Sequence, residues 1–131
     1  MVGYSGKSLA EKLGIKENHK IQLINAPENY FELLEIPKQH GVKGSSKADF
    51  IHCFVTTIKE LNDRLPKMKK QIEKNGMIWI SWPKKASKVP TDVSENIIRE
   101  SALSHGLVDV KVCAIDDTWS GLKLVYRLKD R

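Results

Sequence analysis

Short apolar runs and longer segments with helical spacing alternate along the chain, which predicts strands and helices in turn. The runs Lys20–Ile24, Asp49–Val55 and Met77–Trp82 have the length of strands. Asp49–Val55 is almost continuously apolar, which is typical of a strand covered on both faces in a parallel sheet. Two alternating segments, Val108–Ile115 and Leu122–Leu128, predict a closing antiparallel hairpin.

Capping and stop signals predict helices between these strands. A first helix is expected over Ser5–Leu13, with Gly14 as its stop. A second follows Pro27, whose missing N–H would be unpaired in a first helical turn anyway. Thr57 and Glu60 have the spacing of a capping box, so a third helix is expected to begin there.

A proline inside the third helix and a second start signal complete the pattern. Pro66 is expected to break or kink that helix, which then restarts, runs to Lys74 and stops at Asn75-Gly76. Asp92, with a glutamate three residues on, is expected to cap a last helix that Gly106 ends. The order predicts an α/β fold, with a minimal, mostly parallel five-stranded sheet, helices on both faces and a C-terminal antiparallel hairpin.

Length and composition suit one domain over residues 1–131 of ordinary globular type. No run approaches the roughly 18 apolar residues of a membrane span, and no signal peptide is recognisable, so we expect a cytoplasmic protein without membrane contact. Two cysteines do not make a disulfide framework. The 22 Lys+Arg against 16 Asp+Glu give a net charge of +6, which admits an anionic partner without naming one.

This order of elements, with its closing hairpin, resembles the latter half of the Rossmann-like fold of S-adenosylmethionine (SAM)-dependent methyltransferases. Leu65–Trp82, a helix ending in Asn75-Gly76 and followed by a strand, is similar to their passage from helix through glycine to the fifth strand. The helix from Val93 and the closing hairpin resemble their last helix and reversed final strand pair. Asp49–Thr56 stands in for their fourth strand.

The same resemblance implies a cofactor site, but this sequence lacks the residues that form such a site. The cofactor fold uses a glycine-rich turn after its first strand and an acidic residue after its second. Here the first strand runs into Asn25-Ala26-Pro27-Glu28, and only Ile36–Ser46 precede the next strand. We therefore expect no bound cofactor, and SAM is disfavoured.

The chain as a whole also resembles a short bacterial domain family of unknown function, to which no activity is attached. The segments that carry this resemblance are Tyr4–Lys7, Lys12–Ile15, Ser81–Lys85, Val110–Cys113 and Trp119–Lys123.

Ligands of open parallel sheets bind beyond the carboxyl ends of the strands, so the candidate site is placed there. Trp82 and Trp119 would form apolar walls, and nearby lysines would neutralise an anion. The expected site residues are Asn25, Thr56, Thr57, Trp82, Lys84, Lys85, Asp116, Asp117, Trp119 and Ser120. No residue is assigned as catalytic.

Metal binding and nucleophilic catalysis find little support. His52 and Cys53 are adjacent in a strand, so their side chains point to opposite faces and do not share an ion. Cys53 and Cys113 are expected to be small core residues. Ser81 could approach an aspartate at the carboxyl edge, but no histidine is predicted there.

The preferred function is a non-catalytic binding or regulatory module for an anionic small molecule or an acidic protein segment. One alternative is a small enzyme with Asp116 or Asp117 as base, although adjacent acids in a hairpin loop are more often turn formers. Others are a residual methyltransferase working with a partner, and a nucleic-acid binder using the basic segment Lys67–Lys74. The oligomeric state stays open.

Overall fold

Strands and helices alternate along residues 8–37 and 47–131, the part of the chain that this computed structural model describes. The strands are β1 (Ile21–Ile24), β2 (Ala48–Phe54), β3 (Ile72–Pro83), β4 (Leu107–Ala114) and β5 (Trp119–Tyr126). The α-helices are α1 (Leu9–Leu13), α2 (Tyr30–Leu34), α3 (Ile58–Gln71) and α4 (Glu95–Ser104). Residues 5–7 of the predicted first helix lie outside the described range. Within that range, no helix combines the length and the apolar character needed to cross a bilayer.

The sheet is mixed, with strand order β1-β2-β3-β5-β4. β1 pairs with β2 and β2 with β3 in parallel, whereas β5 pairs antiparallel with both β3 and β4. The predicted α/β class, the five strands and the closing hairpin are confirmed, but a mostly parallel sheet is wrong. The reason is that β5 inserts between β3 and β4 and uses both of its edges, and its two pairings make the larger part of the ladder.

Side chains of β2 alternate between two separate apolar cores, one on each face of the sheet. Ile51 and Cys53 face α3 and α4, whereas Phe50 and Phe54 face α1 and α2. All four are buried, as the continuous apolar run of β2 predicts. Trp79 joins the second core, where its indole N–H donates to the Leu13 carbonyl at 2.9 Å and fixes the end of α1. Helices therefore cover both faces.

α3 is continuous through Pro66, so the predicted break is wrong. A proline in this position has no N–H group to donate a hydrogen bond to the Asn62 carbonyl. Asn62 is exposed, and a carbonyl open to solvent tolerates the loss of this bond, so the helix continues. The apolar face that buries Leu61, Leu65 and Met68 spans the proline and holds the two halves in line.

Gly76 lies inside β3 and does not end a helix, contrary to prediction. α3 ends at Gln71, and β3 begins at the next residue, buried Ile72. A β-carbon at Gly76 would lie 2.8 Å from the carbonyl oxygen of Asp49. The glycine is therefore required by the close approach of β2 to β3.

The helix starts are capped by one predicted residue and one unpredicted residue. The Thr57 hydroxyl accepts from the N–H of Glu60 at 3.1 Å, which confirms the start of α3. α4 is capped by Ser94, so the expectation that Asp92 caps it is wrong. The Asp92 carboxylate instead accepts from the N–H of Ile58 at 2.8 Å. Asp92 therefore stabilises the start of α3, which is distant in sequence and adjacent in space.

Candidate functional site

The sheet brings most of the predicted site segments to one edge, called here the carboxyl edge, where β1, β2 and β3 end. The N–H of Lys84, just after β3, donates to the Thr118 carbonyl before β5 at 2.8 Å. The Thr91 hydroxyl donates to the Thr56 carbonyl after β2 at 2.6 Å. Asn25 follows β1 and is exposed, with a left-handed φ of 57°.

The structure does not bring the two indoles of the predicted site together. Trp82 pairs with Ser120 and packs into the core under α3 and α4, where it is 8% exposed. Trp119 lies one register position further on, so its side chain points to the other face. There its ring meets that of Phe54 with centroids 5.0 Å apart. Sequence reasoning placed Trp119 in a loop, whereas it is the first residue of β5.

The threonines of the carboxyl edge are engaged in helix capping. The hydroxyls of Thr56 and Thr57 donate to the Glu60 carboxylate at 3.1 and 3.3 Å. The Thr56 backbone N–H also donates to it at 3.1 Å. These bonds, the Thr56 backbone contact first, hold the pKa of Glu60 below its usual value despite some desolvation. The geometry gives both hydroxyls a structural role at the start of α3.

The aspartates of the carboxyl edge form the turn before β5. The Asp116 carboxylate accepts from the N–H groups of Thr118 and Trp119 at 2.9 and 2.8 Å, which closes a tight loop. Asp117 is exposed, as is Lys85 in the short 3-10 turn Lys85–Ser87. Binding of a ligand by these residues stays a prediction.

Sequence reasoning missed a buried polar chain beside this edge. The Nδ1 atom of His52 lies 2.9 Å from the Tyr30 hydroxyl, and its Nε2 atom lies 2.7 Å from the Ser81 hydroxyl. All three side chains are buried. Burial lowers the pKa of His52 to about 3 and raises the pKa of Tyr30 well above its usual range, so both are neutral at pH 7. His52 and Ser81 lie on neighbouring strands at positions that face the same side, a relation that the strand register creates and the sequence alone does not display.

A serine beside a histidine has the geometry of an activated nucleophile, but this pair is closed off. His52 and Ser81 are both 0% exposed, and the third member is a phenol instead of a carboxylate. β5 seals the chain, because a β-carbon at Gly121 would lie 3.2 Å from Ser81 Oγ and 3.1 Å from the Trp79 ring. The chain therefore acts as internal hydrogen bonding in this conformation.

A cavity of about 650 Å³ lies at the opposite edge of the sheet, between the last turns of α3 and α4 and the end of β5. We call it the basic groove. Its lining residues are Pro66, Lys69, Lys70, Leu103, Ser104, His105, Gly106, Tyr126 and Arg127. No Asp or Glu of the described residues is among them.

Hydrogen bonds and ring contacts position the cations of the basic groove. The Nζ atoms of Lys69 and Lys74 lie 5.7 and 5.8 Å from the centroid of the Tyr126 ring. The Tyr126 hydroxyl donates to the Lys69 carbonyl at 2.7 Å, and Arg127 Nη2 donates to the Leu103 carbonyl at 3.0 Å. These partners are neutral, so the contacts orient the cations without cancelling their charge.

The groove cations also lack ionic partners among residues 8–37 and 47–131. The salt bridges of that part of the chain are both made by Arg99, with Glu95 and with Asp109 at 2.9 Å. Neither carboxylate lines the basic groove. The positive charge of the groove is therefore available to a ligand.

A second cavity of about 440 Å³ lies on the other flank of α3. Its lining residues are Gln22, Ile24, Arg64, Lys67, Met68, Lys70 and Gln71. Lys70 lines both cavities. The Gln22 Oε1 atom is buried without a hydrogen-bond partner. Among the residues that the structure describes, no group of three or more His, Cys, Asp or Glu could hold a metal ion.

The sequence matches a family model, described as "Protein of unknown function (DUF3052)", over residues 51–128. That is more than half of the chain. The chain belongs to the DUF3052 family. The predicted membership of a family of unknown function with a methyltransferase-like fold is thereby confirmed. A comparison of the DUF3052 chain with curated proteins finds no match.

Solved structures similar to the DUF3052 chain include SAM-dependent methyltransferases. One from Clostridium acetobutylicum matches with a TM-score of 0.52 at 9% identity, covering 76% of this chain and 69% of that one. Magnesium protoporphyrin IX methyltransferase (ChlM) from Synechocystis PCC 6803 with bound SAM matches with a TM-score of 0.51 at 13% identity. The match covers 65% of this chain and 42% of ChlM. LepI in complex with SAM matches with a TM-score of 0.56 at 10% identity, covering 91% of this chain and 39% of LepI.

These likenesses establish the fold of the DUF3052 chain and nothing finer, since sequence identity is so low. The chain also spans less than half of the length of ChlM and of LepI.

Proposed function

We propose that this protein is a non-catalytic binding module for an anionic ligand, and that the basic groove is its site. The observation that carries the proposal is the lining of the groove, which holds Lys69, Lys70, His105 and Arg127 and no carboxylate of the described residues. Unpaired like charges on one concave surface raise the local potential and attract anions. The apolar flank of Pro66 gives a ligand some surface to bury.

The helix ends explain part of this charge but leave a surplus. The last turns of α3 and α4 carry partial negative charge, which favours cations nearby. Arg127 and His105 bind carbonyls of α4 directly, at 3.0 Å to Leu103 and 2.7 Å to Ser101. Each helix end is equivalent to only about half a unit charge. Lys69 and Lys70 therefore exceed what the helix ends neutralise.

The polar groups of the groove support binding more than chemistry. Ser104 Oγ donates to the Ser101 carbonyl at 2.8 Å, and His105 Nδ1 contacts the same carbonyl. Both groups with acid–base or nucleophilic chemistry are therefore held in a helix cap. This arrangement favours a role in closing α4.

A residual methyltransferase is the second candidate, because several structures with this fold contain SAM. The residues after β1 do not fit that cofactor. The turn consists of Asn25, Ala26 and Pro27, whose β-carbons occupy the place where a glycine would let the backbone approach a ligand. Asn25, Ala26 and Pro27 line none of the five cavities described in residues 8–37 and 47–131, although Ile24, the residue before them, lines the second cavity. We propose that SAM is not a ligand.

Calorimetric titration with inorganic tripolyphosphate tests the proposal and separates the two edges of the sheet. The groove variant is Lys69→Gln with Arg127→Gln, and the matched control is Lys84→Gln with Lys85→Gln at the carboxyl edge. Both remove two positive charges. We expect the groove variant to weaken binding by at least about 10-fold, since hydrogen bonds to charged groups contribute about 1.5–3 kcal/mol each. The control should stay close to the parent.

The opposite result would place the anion site at the carboxyl edge, where the sequence predicts it. No binding of tripolyphosphate to the parent protein would overturn the proposal altogether. In a separate arm, SAM should leave the thermal midpoint unchanged, because only a ligand of the native state raises it. A midpoint that rises with SAM concentration would favour the methyltransferase candidate.

A further inference from the structure

The basic groove does not end at α3, because Lys70 lines both the groove and the second cavity. We infer that the ligand is a single-stranded nucleic acid, whose backbone passes from one cavity across Lys70 into the other. This inference rests on the proposed function and names its ligand class.

The cations on the two flanks of α3 form one continuous band. Lys69 and Arg127 line the first cavity, Arg64 and Lys67 line the second, and Lys70 lies between them. The acidic residues early in α3, including Asp63, line neither cavity. The charges in the first two turns of α3 are mixed, whereas its last turns carry lysines alone, which suits the helix dipole and concentrates cations at that end.

A flexible strand fits this path and a duplex does not. The two cavities flank a single helix, which with its side chains is about 10–12 Å across. Double-stranded DNA has a persistence length of about 50 nm and does not bend around so small an obstacle. A single strand bends freely at each phosphodiester, so its phosphates reach Arg127 on one side and Arg64 on the other.

The polar groups of the groove suit a ligand whose backbone only accepts hydrogen bonds. The carbonyls of Lys69, Ser101 and Leu103 already bind the side chains of Tyr126, His105 and Arg127. An acidic peptide would bring backbone N–H groups that need acceptors, whereas a deoxyribose-phosphate backbone carries acceptors alone. This difference favours nucleic acid over an acidic protein segment.

Apolar side chains beside the cations favour nucleotides over bare polyphosphate. Leu103, which is 45% exposed, lies with Pro66 in the first cavity, and the half-buried Ile24 lines the second. Sugars and bases bury this surface, which a phosphate chain would leave in water. The ring of Tyr126 already contacts lysine ammonium groups, so stacking adds little and binding is independent of base sequence.

Fluorescence anisotropy with a labelled oligo(dT) over a series of KCl concentrations tests the inference. Neutralising the phosphates opposite the cations of the band gives a slope of log K against log salt of about −3.5, from about −0.7 per contact on a single strand. Affinity should therefore fall roughly 100-fold between 50 and 200 mM KCl. Lys70→Gln should reduce the slope by about 0.7.

Lys59→Gln is the matched control, because Lys59 is exposed on the same helix and lines neither cavity. It should leave affinity and slope unchanged, and circular dichroism should show both variants folded. Duplex DNA, poly-glutamate or polyphosphate of equal charge binding as tightly as oligo(dT) would overturn the inference. Equal effects of Lys59→Gln and Lys70→Gln would overturn it too.

The failure of this inference is distinguishable from that of the proposed function. Binding of tripolyphosphate that depends on Lys69 and Arg127, with no tighter binding of oligo(dT), would leave a small-anion site and remove the nucleic acid. If neither ligand binds, both proposals fail.

Discussion

Both edges of the sheet carry charged side chains but engage them differently. At the carboxyl edge, Glu60 and Asp116 bind hydroxyl and backbone N–H groups of their own loops. At the opposite edge, Arg127 binds a neutral carbonyl and keeps its charge uncompensated. The comparison teaches that a cluster of polar residues at a favoured ligand edge marks a site only where internal partners have not engaged them.

This contrast predicts that substitutions near the carboxyl edge change stability, whereas substitutions in the basic groove change binding. The largest effect is expected for His52→Ala. It creates a cavity and leaves the hydroxyls of Tyr30 and Ser81 buried without their partner, at a cost of about 3–5 kcal/mol in the free energy of unfolding. Urea unfolding measures it. Tripolyphosphate affinity of the folded fraction should not change, and a loss of both would break the comparison.

Lowering the pH should reveal the contribution of His52 to stability in the unmodified protein. Burial lowers the pKa of His52 from 6.5 to about 3. Between these values the unfolded chain binds more protons than the folded one, so stability falls as pH falls through this window. His52 contributes at most about 1.4 kcal/mol per pH unit to that slope.

Urea unfolding of the parent and of His52→Gln between about pH 7 and pH 4 measures this contribution by difference. Glu60, whose lowered pKa also makes stability fall in acid, is present in both proteins and cancels. Parallel pH profiles for the two proteins would show that His52 is not shielded as the structure indicates.

The smallest effects on stability are expected for substitutions at the two ends of α3. Thr57→Ala removes the side-chain acceptor at the start of α3 and should cost about 1 kcal/mol of stability, with no change in tripolyphosphate affinity. Lys70→Gln near the end of α3 should change the free energy of unfolding by less than about 0.5 kcal/mol, because surface substitutions away from caps, cores and buried hydrogen bonds usually have effects of that size. Thermal unfolding of both variants, with and without ligand, tests whether the two roles are separable.

Local patterns in the sequence predict much of the fold. The apolar run of β2 and the capping pair Thr57 and Glu60 are signals within a few residues, and the structure confirms both. Signals that depend on a distant partner are misleading. Asp92 has the local spacing of a cap for α4, but its carboxylate accepts from the N–H of Ile58 at the start of α3. Trp119 belongs to β5 because Pro83 of β3 pairs with it, although its segment does not alternate.

The candidate site shows the same division. Segments that follow parallel strands do meet at one edge, and that much follows from topology. The face to which Trp82 or Trp119 points depends on register, which the sequence does not display. The basic groove joins α3, α4 and β5 only after β5 is placed next to β3. The basic segment Lys67–Lys74 indicates part of its charge, but no pattern within one segment indicates that α4 and β5 complete it.

The hydrogen bond from Trp79 to the Leu13 carbonyl also bears on the order in which the elements fold, because its partners are 66 residues apart in the chain. During synthesis, α1 leaves the ribosome well before Trp79 exists as part of the chain. A helix of 5 residues is not stable alone, so it gains its dock only when β3 has been made and has paired with β2. α1 therefore becomes native only after β3 has formed, although α1 is made much earlier.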